Sequence, residues 1–205
     1  MSFVAGRPIE EARNAPQDVR NQIARDLIDL TLRELFEFGL MQTDPNFANY
    51  LYDDESGRIA LLDFGATRKV DKQVVAQYAR LLVAGCEGDL TAIDEVIAEI
   101  GFVGPETAPS HRAQIVDMIL TVFATMRGAS EFDFADATLS RAMQTKGTAL
   151  AEDGFIPPPL PIDVLLLQRK FGGVFLLAAK LNAKVDVMDV LELYLIGAAH
   201  EKRSA

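Results

Sequence analysis

Two neighbouring segments constrain this chain more than anything else in it: Met41-Gln-Thr-Asp-Pro-Asn-Phe-Ala-Asn49 and, just beyond, Leu61-Leu-Asp-Phe-Gly65. Asp44 and Asn49 stand five apart, and an Asp-Phe-Gly triplet begins at Asp63. Between them, residues 50–52 and 58–62 read as two short strands joined by the turn Asp53-Asp-Glu-Ser-Gly57. Such a ribbon delivers Asp63 at a strand end, next to the loop that carries Asp44 and Asn49. A carboxylate and an amide carbonyl are the hard oxygen donors that magnesium takes, and a second carboxylate can orient an attacking hydroxyl. Each piece alone is ordinary turn chemistry; order and spacing carry the reading. Asn46 lies too close to Asp44 to be the spaced partner, which leaves Asn49.

The remaining sequence is helical by its patterning. A helix is expected over 16–38, opened near Pro16, stopped at Gly39, with Val19, Ile23, Leu27, Ile28, Leu30, Leu32, Leu35 and Phe36 forming a broad apolar face. Leu40-Met41 is a bridge into the loop. After Asp71, a suitable N-cap, helices are expected over 72–87, 90–99, 109–127, 135–152, 162–182 and 187–199. Ile115, Met118, Ile119, Val122, Phe123 and Met126 share one helical face and are expected in the core. Pro157-Pro-Pro159 and Pro161 form a stiff connector. No internal repeat, low-complexity tract or second-domain boundary is visible. The expected class is mainly α (α+β): a lobe of protein kinase-like C-terminal type, with a small two-stranded ribbon carrying the site and a helical bundle after it. The expected division is one such lobe over 1–205, with a hinge or strand remnant over 1–9, catalytic and metal loops over 42–68, and helices over 72–199.

Composition sets outer limits. At 205 residues, 49% of them apolar and 24% charged, the chain is long enough for a substantial core and is globular in type. Its formal charge of −10 argues against nucleic acid as a partner, since backbone binding needs a basic face. Cys86, the single cysteine, rules out an intramolecular disulfide and fits a reducing compartment; its simplest role is a small apolar helix residue. His111 and His200 have no ligand-type neighbour at zinc spacing and read as surface or capping residues. No apolar run reaches the roughly 18 residues of a membrane span, and no signal peptide is visible.

The segments Leu32-Arg-Glu-Leu-Phe-Glu-Phe38, Met41–Asn49, Ala60-Leu-Leu-Asp-Phe-Gly-Ala-Thr-Arg68, Pro157-Pro-Pro159 and Gln168-Arg-Lys-Phe-Gly-Gly173 resemble the UbiB/aarF-domain atypical kinases, closest to their coenzyme-Q branch. The resemblance covers nearly the whole chain. It implies that Asp44 holds the catalytic-loop aspartate position and that Asn49 and Asp63 hold the metal- and nucleotide-ligand positions. It further implies Mg2+ and ATP (or ADP) as cofactors, ATPase or phosphotransferase activity, and association with a lipid or quinone precursor and with ubiquinone-biosynthesis proteins. The implied location is the cytoplasmic or mitochondrial-matrix side, soluble to peripheral at the inner membrane. Departures from ordinary protein kinases are equally specific. Thr43 stands where a basic residue would precede the catalytic aspartate, and Asn46 stands where many carry lysine. Only about six residues separate Gly65 from the next helix, with no Ala-Pro-Glu, so no activation segment cradles a peptide. A small molecule, a lipid or water fits better as acceptor.

The family's K-x-G-Q motif, alanine-rich nucleotide loop and strand lysine do not occur in this sequence. Met1–Ile9 is expected to be the end of an N-lobe strand and the hinge, making Met1 an internal methionine. Two other readings stand beside the UbiB-like kinase or ATPase: a catalytically inactive lobe that binds a partner or lipid, and a small-molecule phosphotransferase of aminoglycoside or choline kinase type. Gln42 disfavours the last, because those enzymes usually place histidine there.

Overall fold

The computed structural model describes residues 6–201, with side chains described through Tyr194. In chain order the elements are β1 (Arg7–Pro8), a 3-10 turn (Ile9–Asn14), α1 (Gln17–Arg33), a π-helical turn (Glu34–Phe38), β2 (Leu40–Gln42), a 3-10 turn (Phe47–Asn49), β3 (Tyr50–Asp53), β4 (Arg58–Leu61) and β5 (Thr67–Lys69). There follow α2 (Lys72–Glu87), α3 (Leu90–Ile100), α4 (Pro109–Arg127), β6 (Phe132–Asp133), α5 (Thr138–Glu152), α6 (Ile162–Lys180), β7 (Lys184–Val185) and α7 (Val187–Glu201). The expected mainly α class with a small β part holds. The expectation for Met1–Ala5 lies outside the described residues.

The chain divides into two compact units. The first comprises Met1–Val70, Asp133–Ala135 and Leu166–Val185; the second comprises Asp71–Phe132, Asp136–Leu165 and Asp186–Ala205.

In the first unit the expected two-stranded ribbon is a three-stranded antiparallel sheet, ordered β1-β3-β4. Tyr50 faces Leu61 and Asp53 faces Arg58 across the hairpin, while Arg7 and Pro8 pair with Tyr52 and Leu51. Pro8 is tolerated because β1 is an edge strand, where a missing N–H costs no ladder bond. A second pair joins β2 to β5, Met41 opposite Arg68. Leu40-Met41, expected only as a bridge, is thus part of a strand, because two or three residues carry no periodic signal.

The expected 16–38 helix is α1 continued by the π turn, and it ends at Gly39, whose left-handed φ of 59° closes the helix. Ile23, Leu27, Leu32 and Leu35 are buried as expected, while Val19, Ile28, Leu30 and Phe36 are half-buried. The same unit buries Tyr50 and Tyr52 from one face of β3, together with Leu167 and Leu177 from α6 and Leu181 just beyond its end.

The second unit has its own core, built from Ala84, Ile93, Ile97, Val103 and Val116. Asp71 caps α2 by accepting the Gln73 N–H, and Asp89 caps α3 by accepting the Ala92 N–H. α5 opens at Thr138 rather than 135, because the Asp136 carboxylate takes the N–H and hydroxyl of Thr138. The expected core stripe of α4 is only partly right: Phe123 and Val116 are buried, whereas Ile115, Met118, Ile119, Val122 and Met126 are half-buried. Gly85 of α2 sits against the Phe123 ring, which leaves no space for a side chain.

Cys86 is a half-buried residue of α2, and burial pushes its thiol pKa up, so it is a poor nucleophile. His111 pairs with Asp153 at 2.9 Å and meets Phe155 edge-on; its side chain is only 12% exposed, so it is packed in place and is not the open surface residue expected. The His200 side chain lies outside the described residues. No helix among the described residues is long and apolar enough to cross a membrane.

Candidate active site

The first unit brings the three expected residues to one end of its sheet. The loop between β2 and β3 carries Asp44 and Asn49. Asn46 turns that loop by accepting the Ala48 N–H at 3.1 Å, a local cap for the 3-10 turn that presents Asn49. Asn46 is therefore structural, in keeping with its exclusion as the spaced partner. The Leu62 N–H donates to the Asn49 carbonyl at 2.9 Å, extending the β3–β4 ladder and setting Asp63 beside the loop.

Asn49 donates its Nδ2 to Asp44 Oδ2 at 3.2 Å, and to the Asp44 carbonyl at 3.4 Å. Its amide nitrogen is thereby committed to Asp44, which leaves Oδ1 as the oxygen a cation would meet. Asp63 accepts the Gly65 N–H on Oδ1 at 2.7 Å, which ties the carboxylate into the turn that follows β4. A Cβ on Gly65 would lie 3.0 Å from that same oxygen, so glycine suits this tight turn. Behind them, buried Gln42 donates to the Asp63 carbonyl at 3.5 Å. Thr43 donates both its N–H and its hydroxyl to Ala66, at 3.1 and 2.8 Å, tying the two loops together.

This donor set fits magnesium. The ion keeps several waters and takes one or two protein oxygens plus phosphate oxygens, so one carboxylate and one amide carbonyl are sufficient. No cluster of three or more His, Cys, Asp or Glu that could hold a metal ion exists among the described residues. Phe64, 63% exposed, and Leu62 flank Asp63 on the surface.

Two basic residues of α6 complete the surroundings, and the sequence reading assigned neither a role. Arg169 pairs with Asp44 Oδ1 at 3.0 Å. Lys170 is only 1% exposed; its Nζ lies 2.8 Å from Glu34 Oε2 and donates to the Tyr50 hydroxyl at 3.3 Å. Burial pushes the Glu34 carboxyl above its ordinary range, opposed by the Lys170 charge and the Gln42 N–H. The only sequence signal for either was the Gln168–Gly173 segment noted for its resemblance.

An aspartate, an asparagine five residues on and a strand-end aspartate, set among helices and a small sheet, are the arrangement of the C-terminal lobe of a protein kinase-like fold. Residues 1–97 match the ABC1 atypical kinase-like domain. The mitochondrial atypical kinase COQ8B of Rattus norvegicus is 34% identical over 193 residues, 94% of this chain and 36% of the relative. COQ8 of Saccharomyces cerevisiae is 33% identical over 187 residues, 90% of this chain and 37% of the relative. These matches support kinship with the ABC1/UbiB family of atypical kinases. The chain spans about a third of the length of these curated relatives. Among solved structures, Rv3197 of Mycobacterium tuberculosis, determined with erythromycin, shares the fold with a TM-score of 0.74 at 18% identity, covering 95% of this chain and 48% of that one.

Proposed function

We propose that this chain supplies the metal-binding and acceptor-orienting half of a UbiB-like, ATP-dependent atypical kinase or ATPase acting in coenzyme Q (ubiquinone) biosynthesis. The observation that carries the reading is the Asp44–Asn49 bond, on a loop that the Leu62 N–H ties through the Asn49 carbonyl to the strand leading into Asp63. Asp63 and the Asn49 carbonyl would hold Mg2+, which when bound neutralises charge on the nucleotide phosphates. Asp44 would orient an attacking hydroxyl and accept its proton, and the bound nucleotide would supply the phosphoryl group, with ADP as the leaving group. Asn49 holds Asp44 in place for that step. The coenzyme-Q role rests on the COQ8 atypical kinases among the relatives, whose mitochondrial names also support a mitochondrial place for this chain.

The acceptor is a small molecule, a lipid or water rather than a protein. Ala66 to Asp71 is taken up by β5 and the α2 cap, with no segment left to cradle a peptide. Within this reading 42–68 carries the chemistry and 72–199 the helical support.

The test is ATP turnover with defined acceptors: water, phospholipid vesicles, a quinone precursor and a protein mixture. Turnover lost in Asp44→Asn, with no stoichiometric protein labelling, is the expected result. Stoichiometric, Asp44-dependent labelling of one protein would overturn the choice of acceptor. Turnover that survives Asp44→Asn would overturn the mechanism.

A further inference from the structure

The catalytic loop has no cation of its own. From Thr43 to Asn49 it reads Thr-Asp-Pro-Asn-Phe-Ala-Asn, so a carboxylate at the transfer point has no local positive charge beside it. The structure supplies that charge from 125 residues away, through Arg169 on α6.

We infer that Arg169 is the residue that positions Asp44, standing in for a loop-borne cation; the inference rests on the phosphoryl-transfer reading above. The two oxygens of Asp44 are divided between two donors. Arg169 Nη2 takes Oδ1 at 3.0 Å, and Asn49 Nδ2 takes Oδ2 at 3.2 Å. Together they fix the carboxylate's rotation, where either alone would leave it free to turn about its Cβ–Cγ bond.

The helix is seated to make this reach. Gly173, one turn beyond Arg169 and on the same face, lies against Pro45: a Cβ there would fall 2.3 Å from the Pro45 Cβ. Lys170, next in sequence, is sunk into the unit on Glu34 and Tyr50. Anchored by a buried ion pair and a glycine contact, α6 cannot slide without carrying Arg169 away from Asp44. The guanidinium itself is 62% exposed, so the pair contributes orientation more than stability.

The experiment uses the full chain and reads the 15N side-chain amide resonance of Asn49, which reports the other oxygen of Asp44. Arg169→Ala is expected to shift that resonance as far as Asp44→Ala does, with Arg169→Lys restoring it in part and the denaturation midpoint held. In the Asp44→Ala background, Arg169→Ala should add no further shift. An Asn49 resonance unmoved by Arg169→Ala, or additive shifts in the double variant, would overturn the inference. In ATP turnover, Arg169→Ala should lower kcat on the order of 10²-fold with KM for ATP unchanged, the cost of a misplaced reacting group. An unchanged kcat counts equally against it. If instead Asp63→Asn leaves magnesium-dependent nucleotide binding intact, the phosphoryl-transfer reading fails, and the Asn49 resonance still decides whether Arg169 holds Asp44.

Discussion

Gly172 and Gly173 are adjacent residues of α6 with opposite steric demands. A Cβ on Gly172 meets nothing within 4 Å, whereas one on Gly173 meets Pro45 at 2.3 Å, well inside contact distance. Alanine is favoured over glycine in a helix interior by about 1 kcal/mol. Gly172→Ala is therefore expected to raise the denaturation midpoint by roughly that amount. Gly173→Ala should lower stability by about 1–3 kcal/mol through overpacking. The two midpoints, measured side by side, check the contact. Lys170 allows a second residue-level test. Without its ammonium, Glu34 keeps its desolvation and loses the charge that opposes it, so its carboxyl moves further above the ordinary range. A carboxyl raised in the folded state costs stability as pH climbs through and above the usual glutamate value, and costs nothing below it. Lys170→Met is therefore expected to lose about 3–5 kcal/mol near neutral pH, the cost of stranding a buried charge. Urea melts across pH should show the gap to wild type narrowing under acid conditions; a gap independent of pH would contradict the ion pair. At this scale Asp44, Asn49 and Asp63 were legible because chemistry restricts residue type and spacing. Arg169 and Lys170 were not, because their partners lie 125 and 120 residues away in sequence and only packing brings them together.

The helices were legible element by element wherever their ends carried a local device. Gly39, Gly88 and Gly101 all close helices in the left-handed conformation, and Asp71 and Asp89 open them. Boundaries at these points agree with the periodicity to within a residue or so. What escaped was structure whose definition lies elsewhere in the chain. β2 exists only because β5 returns alongside it, and within the expected strand or hinge remnant of 1–9 the pairing of Arg7–Pro8 exists only because β3 offers an edge. The α4 face shows a different failure: helical spacing identified the apolar stripe, but which part of it is covered depends on neighbouring helices. Gly85 tests one of those contacts. A Cβ there would lie 2.3 Å from the Phe123 ring, so Gly85→Ala should destabilise by about 1–3 kcal/mol despite alanine's better helix propensity. Pairing it with Phe123→Leu should recover part of the loss in thermal melts, while additive losses would mean the two do not share this contact.

For the whole molecule, no Gly- or Ser-rich linker is visible in the sequence, and the residue ranges explain why: the chain passes from one compact unit to the other several times, with α6 beginning in the second and ending in the first. The candidate site lies entirely in the first unit, which holds Asp44, Asn49, Asp63 and Arg169. The second unit has a separate helical core. The central claim, that this first unit presents a magnesium-nucleotide site through Asp63 and Asn49, is tested most directly by calorimetric titration of ADP and ATP. Titrations are run with and without magnesium, on the chain alone and mixed with a separately made nucleotide-binding lobe. The account predicts binding that requires magnesium, is abolished in Asp63→Asn and is weakened in Asn49→Ala. Nucleotide affinity equal in wild type and Asp63→Asn, or indifferent to removal of magnesium, would contradict it.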